Sequence, residues 1–586
     1  MTTQAPSNFP PGVEIDQETF QNWALAITVP NLWTCYPNSE DQVVQVCHWA
    51  ARQGYTIRPR GVMHGWSPTT VAADTPPGAK ILLVDLKKYM KTMTFIPATD
   101  SRPASVQVQT GATMDHLLAY LEGAAGPDKP GYSFPHTPAP GHLTVGGVLA
   151  IDAHGSAIPS ENENFDCSYG SLSNQILSFK AAVTDPESPT PDAYTIKTFN
   201  RGDADAKAFL AHVGRAFIVE ATLQVIENYY LRCVSYTDLT SDVLFAAPTP
   251  ETPIPPNSLA SFLNQYGRIE AIWFPYTWEP PKSAKWPHFP IWLPSTPYPW
   301  FKVWSVSQTK PSTSVEVEQP YNYPFSDNIS KELAALIAQI ISGAGGLTPL
   351  FGQGMQLYSN SGLEGKLPGQ TNPTNDLWGL SKNTLLYVKD TTLRVTANGY
   401  AVQMKKADVQ QAVHDFTAKY VDLINSYALN GQYPVNSPLE IRVTSLDDPA
   451  KVGMPAGTTA ESPVISALSY DEEAKNNNWD VAVWFDVLTV PGTPHSNDFY
   501  QELEEWVQSR FNGAAGRPMP EWSKGWAYTT NGPWTNSAYL ESIRQMLTTC
   551  RGDSDNWNYE VATLAKYDKF NLFTDELLGA LFVATT

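Results

Sequence analysis

Past about residue 228 the chain turns into a series of long extended segments rich in aromatic residues. They are EAIWFPYTW (270–278), FKVWSVS (301–307), TLLYVKDTTLRVTANG (384–399), LEIRVTSL (439–446) and DVAVWFDVLTV (480–490). Aromatic and β-branched residues in such runs favour strands. Two helical patterns interrupt them, at 407–429 and 497–511. Strand pairs separated by helices predict a large, mostly antiparallel sheet backed by helices, an α+β arrangement.

The first part of the chain reads differently. Residues 39–54 predict a helix: Ser39 can cap it, Gln42 stands at the capping-box position, and Gly54 suits its end. TIRPR predicts a short strand, followed by strands at 80–86 and 104–112 and a helix at 113–123. Two proline-rich stretches, 248–258 and 280–300, read as surface loops.

Composition excludes several functions. The formal net charge is −20, which argues against nucleic acid, since that partner needs a cationic face. No run approaches the roughly 20 apolar residues of a spanning helix. The opening MTTQAPSNFPPGVEIDQ lacks a charged start followed by an apolar core, so it does not read as an export signal, although one could have been removed ahead of Met1. Many Pro and Trp with few charges lean towards a secreted bacterial enzyme. Cys35, Cys47, Cys167, Cys233 and Cys550 are too widely spaced for a zinc motif or a dense disulfide framework. His136, His142 and His154 have no acidic or thiol partner at ligand spacing, so no metal is expected. The common dinucleotide, phosphate-loop, zincin and nucleophile-elbow signatures are missing.

Small residues and glycines concentrate in three places: 58–66, 138–156 and 169–172. Turns of this kind expose backbone N–H groups and can cradle an anion. They are equally compatible with tight turns between strands. Within the first lies an isolated histidine, His64, between Met63 and Gly65.

Together RPRGVMHGW (58–66), PAPGHLTVGG (138–147), DAHG (152–155) and YGSLS (169–173) resemble the vanillyl-alcohol oxidase superfamily of FAD enzymes. EAIWFPYT, YNYPFSDN, TPLFG, LEIRV, PGTPHSNDFY and PEWSKGWA are similar, more specifically, to covalent-flavin cholesterol oxidases. The resemblance implies a two-domain fold. An FAD part would comprise 1–228 and 541–586, and a substrate-binding cap 229–540. It implies FAD joined covalently to His64. The cofactor would lie against Pro59, Arg60, Gly61, Val62, Met63, Gly65, Thr144, Gly146, Gly147, His154, Gly155, Tyr169, Gly170, Ser171 and Ile218. It implies hydride transfer from a 3-hydroxysteroid to the flavin, with isomerisation of the ring double bond and reoxidation by O2 to hydrogen peroxide. The alternative is another oxidase of the superfamily, acting on a sugar or an aromatic alcohol.

The charges of the cap fit that expectation. Glu440 and Arg442 lie two apart on a strand and so share a face. Glu270 opens an aromatic strand, where burial would raise its pKa unless a cation pairs with it. Lys524 sits between tryptophans and needs an acidic partner, for which Glu521 and Asp486 are candidates. Arg442 is expected to stabilise developing negative charge, and Glu440 or Glu270 to act as base. Two positions depart from the family pattern: Ala397 stands where an acidic residue is expected, and Asp486 where an amide is expected. Trp286, Phe289, Ile291 and Trp292 in the proline-rich stretch suit an entrance that touches a membrane or lipid surface.

Overall fold

Residues 39–54 do form a helix, Glu40–Gln53. The Ser39 side chain accepts from the Gln42 N–H, and Gly54 closes the helix in the left-handed conformation at φ 68°. The Gln42 side chain reaches one residue beyond the capping box and accepts from the Asn38 N–H at 2.8 Å. Val43, Val46, Cys47 and Ala50 form its buried stripe. The protein is seen here as a computed structural model that describes residues 5–585, apart from 128, 164, 191, 277–297, 322, 324–328, 526–533, 535 and 554. The four apolar residues expected at an entrance, Trp286, Phe289, Ile291 and Trp292, lie outside the described residues.

Two larger sheets and a two-stranded one, 132–133 with 226–227, make up the first part among the described residues. In one, Thr56–Arg60 and Thr28–Tyr36 flank Ile81–Asp85 in parallel, and Glu14–Gln21 pairs antiparallel with Thr28–Tyr36. The other is antiparallel, in the order 93–96, 105–109, 217–224, 176–184, 194–200. The last helices pack on this part. Thr184 Oγ1 donates to the Tyr567 carbonyl at 3.0 Å, and Arg215 pairs with Asp568 at 2.5 Å.

Among the described residues the expected large sheet has nine strands, in the order 315–316, 376–380, 230–236, 300–306, 268–273, 439–445, 481–489, 396–404, 517–520. Every pairing is antiparallel except that of the first two strands. Helices Val409–Leu429 and Ser496–Arg510 pack one face, where Phe416 stacks on Phe485 at 4.0 Å.

One extended segment is corrected. Residues 384–399 do not form a continuous strand: Ser381–Leu385 is a short helix, and the strand starts only at Thr396. The chain leaves the sheet between them, which places Tyr387 in a wall of the site described below. The helices Lys331–Ile341 and Thr348–Leu363 were not anticipated. No helix among the described residues is long and apolar enough to cross a membrane. All five cysteines are buried and unpaired.

Arg268 anchors the first central strand. It is fully buried; its Nε donates to Glu163 Oε2 at 2.8 Å and its Nη2 to the Pro135 carbonyl at 2.6 Å. Arg268→Met leaves Glu163 buried without its cation, which should cost about 3–5 kcal/mol. Removing both charges in Arg268→Met/Glu163→Gln should restore part of the loss. Denaturant unfolding of the three proteins checks both expectations.

Candidate active site

Sheet register assembles the site. Glu270 lies opposite Arg442, and Glu440 opposite Asp486. Lys302 lies opposite Glu270 on the next strand out. Residues two apart on a strand share a face, so these side chains form two adjacent rows on one side of the sheet. Gly399 sits opposite Asp486 on the far strand. A Cβ there would lie 1.8 Å from Asp486 Oδ1 and 3.3 Å from Glu521 Oε2. Glycine is needed at 399 for that close approach.

Arg442 is the hub. Its Nη2 contacts Asp486 Oδ2 and lies 3.3 Å from Glu440 Oε2, and its Nε is 4.0 Å from Glu270 Oε1. Burial alone would lower its pKa, but Asp486, Glu440 and Glu270 outweigh burial and hold it well above the usual value. Lys524 meets both of its candidate partners, Asp486 Oδ2 at 3.1 Å and Glu521 Oε1 at 2.8 Å. They hold the ammonium charged against its own burial. Burial, then Glu521, raise the Asp486 carboxyl. Glu521 is also buried, but Lys524 and His154 outweigh burial and keep it below the usual carboxylate range. Glu440 differs. Burial pushes it up to about 7 despite Arg442, with Glu270 and Asp486 adding to the rise. Its remaining exposure is towards a cavity.

That cavity, of about 270 Å³, is lined by Glu440, Arg442, Lys524, Glu521, His154 and Tyr387 at its polar end and by Trp, Phe, Ile and Leu side chains elsewhere. His154 stacks on Trp484 with ring centres 3.6 Å apart. A second cavity, of about 160 Å³, is lined by Pro59, Arg60, Gly61, Val62, Met63, Thr144, Gly146, Gly147 and Ile218. His64 and Gly65 line both cavities. The His64 ring lies against Trp23 at 4.6 Å, and its Nδ1 is 3.3 Å from His142 Nε2. Burial first, then His142 and Lys524, push His64 down to about 3, so its imidazole is neutral.

Several expected residues sit elsewhere. Glu270 and Asp486 do not line the cavity. Glu270 lies behind Tyr387, whose hydroxyl donates to it at 2.6 Å, and beside Lys302 Nζ at 3.3 Å. Glu270 is therefore placed to hold Arg442 and Tyr387 rather than to meet a substrate. Tyr169, Gly170, Ser171 and Gly155 line neither cavity. Gly155 is small because it packs on His136, where a Cβ would come 2.8 Å from the His136 Cβ. The 138–156 turn offers little to an anion: the N–H groups of Val145, Gly146 and Gly147 already donate to the Ala112 carbonyl, the Thr110 carbonyl and Thr144 Oγ1. The 61–65 loop is different. The N–H groups of Val62, Met63, His64 and Gly65 meet no acceptor among the described residues. Met63 is left-handed, at φ 59°. Ala397 is buried, and its carbonyl accepts from the Gly525 N–H at 2.9 Å. Tyr387 and Lys302 were missed from sequence.

Gly399→Ala should push Asp486 away from Arg442 and Lys524. Misplacing catalytic groups by about 1 Å can cost about 10²-fold, so turnover should fall by about that factor while the protein stays folded. Steady-state kinetics with circular dichroism checks it.

The chain matches the family model "cholesterol oxidase, substrate-binding" over residues 230–290 and 288–583, and the model "FAD binding domain" over 32–184. Comparison with curated proteins returned no match. Among solved structures it is similar to a solvent-stable cholesterol oxidase, with 42% identity and a TM-score of 0.88, covering 99% of this chain and 100% of that one. It is also similar to the cholesterol oxidase from Brevibacterium sterolicum, with 33% identity and a TM-score of 0.87, covering 99% of each. The chain therefore belongs to the cholesterol oxidases and is a FAD-dependent sterol-oxidising enzyme.

Proposed function

We propose that the sterol hydroxyl is oxidised at the wall carrying Glu440 and Arg442, with FAD lying along the second cavity and its ring system at His64. The observation that carries this reading is the junction: an apolar cavity with one charged end meets a loop of unpartnered backbone N–H groups at His64. The residues present fit FAD. Free N–H groups at 62–65 suit a diphosphate. Gly61 leaves the floor open, since a Cβ there would lie 2.4 Å from Thr144 Oγ1. On this reading 1–228 with 541–586 form the FAD part and 229–540 the cap, and the packing of Tyr567 and Asp568 on the first part supports that division.

FAD held there would supply the redox chemistry, accepting the carbinol hydrogen with its two electrons as hydride and returning two electrons and two protons to O2 as hydrogen peroxide. The protein does the rest. Glu440, the carboxylate of the central pairs that reaches the cavity, accepts the hydroxyl proton. Arg442 stabilises the oxygen as it becomes negative. Once Glu440 has shed that proton, it can take one from the ring carbon beside the new ketone and return it further along, giving the 4-en-3-one. His64, neutral and at the junction, would be the covalent attachment point for FAD. The apolar cavity walls favour a flat steroid body over a sugar. Transient contact with a membrane or lipid surface and export from a bacterial cell complete the reading, and both rest on composition.

Three measurements test it. A base must be ionised to act, so kcat/KM for sterol should rise with pH through about 7, where Glu440 loses its proton. Glu440→Gln should abolish that limb and the isomerised product together. Arg442→Lys loses the planar fork and should lower turnover by about 10²-fold; unchanged steady-state turnover removes Arg442 from the site. Denatured wild type should fluoresce in a gel and carry the added flavin mass, whereas His64→Ala should bind FAD reversibly and do neither. A wild-type chain at its bare sequence mass excludes the covalent link but leaves the sterol reading standing.

A further inference from the structure

The motif YGSLS lines neither cavity; it grips one of the chain's own carboxyls. Gly170 is pressed against Asp447, where a Cβ would come 2.1 Å from Oδ1. Ser171 gives Asp447 two hydrogen bonds, from its N–H to Oδ1 at 2.6 Å and from its hydroxyl to Oδ2 at 2.9 Å. Ser466 Oγ lies 2.6 Å from the same Oδ2 and is also in hydrogen-bond contact with Asp152 Oδ2. It accepts the Leu468 N–H at 3.0 Å. All four side chains are buried, Asp447 and Ser466 completely.

Counting protons decides the state of this cluster. A serine hydroxyl has one hydrogen to donate and two lone pairs to accept with. Ser466 can therefore donate to only one of its two carboxyl neighbours. The other contact requires a proton on that carboxyl. Asp447 already receives both donors of Ser171, whereas Asp152 Oδ1 has no partner. The consistent arrangement has the Asp152 O–H donating to Ser466 and the Ser466 O–H donating to Asp447. Ser466 then also accepts from Leu468, and its hydrogen-bonding capacity is filled.

We propose that Asp152, Ser466 and Asp447 form a one-proton clamp between the FAD-side segment 152–171 and the cap-side segment 447–466, with the proton on Asp152. Asp152 acts as a positioning residue for the sterol cavity. Its backbone is left-handed at φ 63°, a conformation that costs a non-glycine residue energy and needs an external hold. It lines the site cavity, and two residues on, His154 stacks on Trp484 and lies 3.8 Å from Glu521. The clamp thus sets the chain that carries His154 against the charged wall.

The titratable or charged groups facing the pair are His154 on the Asp152 side and Arg201 on the Asp447 side, and neither hydrogen-bonds to it. Burial raises both carboxyls, Asp447 to about 8; the hydrogen-bond count, not these shifts, places the one shared proton on Asp152. The proton belongs to the pair. A folded state that keeps a proton the unfolded chain has lost becomes less stable as pH rises. The clamp is therefore fully held below the ordinary aspartate range and is lost as pH climbs through about 8.

Asp152→Asn tests this, because an amide N–H still donates to Ser466 and cannot ionise. The thermal midpoint of wild-type holoenzyme should drop between pH 7 and 9, and that of Asp152→Asn should drop less than half as far. The alkaline fall of sterol kcat/KM should shrink in parallel. Asp447→Asn puts an N–H₂ where three donors converge, so it should be destabilised at every pH. Ser466→Ala removes the bridge but keeps both carboxyls, and should steepen the alkaline loss. The proposal is overturned if Asp447→Asn is the tolerated variant, if Asp152→Asn fails to fold, or if Ser466→Ala keeps the wild-type pH profile.

Discussion

A single, largely buried guanidinium organises the site. Arg442 stands among Asp486, Glu440 and Glu270 on one sheet face, and burying charge is tolerated only where the charges answer one another. Apart from His154, which serves Glu521, three cations, Lys302, Arg442 and Lys524, face four carboxylates, Glu270, Glu440, Asp486 and Glu521. One negative charge is in excess. It is least well held at Glu440, which has one cation, at 3.3 Å, while Asp486 touches two. The carboxyl with the weakest claim to its charge also opens on the cavity. A proton that comes and goes there follows from the charge balance of the wall.

Register makes this balance possible. The pairs Glu270–Arg442 and Glu440–Asp486 fall on one face because strand side chains alternate with a period of two. A slip of one residue would send a whole strand's set to the other face, where Phe485 packs on helix Val409–Leu429. Apolar packing on that side therefore fixes the charged geometry on this one. Gly399 completes the arrangement by leaving room for Asp486 and Glu521 to lie together.

What could be read from sequence follows the same physics. Period-two spacing exposed Glu440 and Arg442 as neighbours, and the tie from Glu521 to Lys524 is short enough to see along the chain. Lys302, Tyr387 and Ser466 were invisible because each meets its partner across 19 to more than 300 residues of sequence. The 384–399 segment misled because its apolar residues suit a strand, while tertiary packing closes Ser381–Leu385 into a helical turn. The glycine clusters misled in a more instructive way. Glycine density reports that something approaches the backbone closely, not what approaches. At Gly170 it is the Asp447 carboxyl, at Gly155 the His136 ring stem, and at Gly61 the Thr144 hydroxyl. Of the three clusters, the 62–65 loop combines that closeness with N–H groups that meet no acceptor among the described residues, and there the reading of a bound anionic cofactor survives.

The same burial has opposite effects at the two ends of the sterol cavity. At His64 no carboxylate adjoins the ring, and the nearby Lys524 adds to desolvation, so the imidazole loses its proton. At Arg442 and Lys524 carboxylates adjoin the cations, and the charges persist despite their burial. A molecule entering this space meets apolar surface, a neutral ring and one charged end. Desolvating a hydroxyl is costly unless it gains a partner, and the charged end supplies one. On the proposed reading, an amphiphile with a single hydroxyl on a flat apolar body would thereby be oriented before any chemistry begins, its oxygen towards Arg442 and Glu440 and its carbon skeleton along the tryptophans. Orientation by differential solvation needs no specific contact to the steroid rings, which is why a wall of ordinary aromatic side chains suffices.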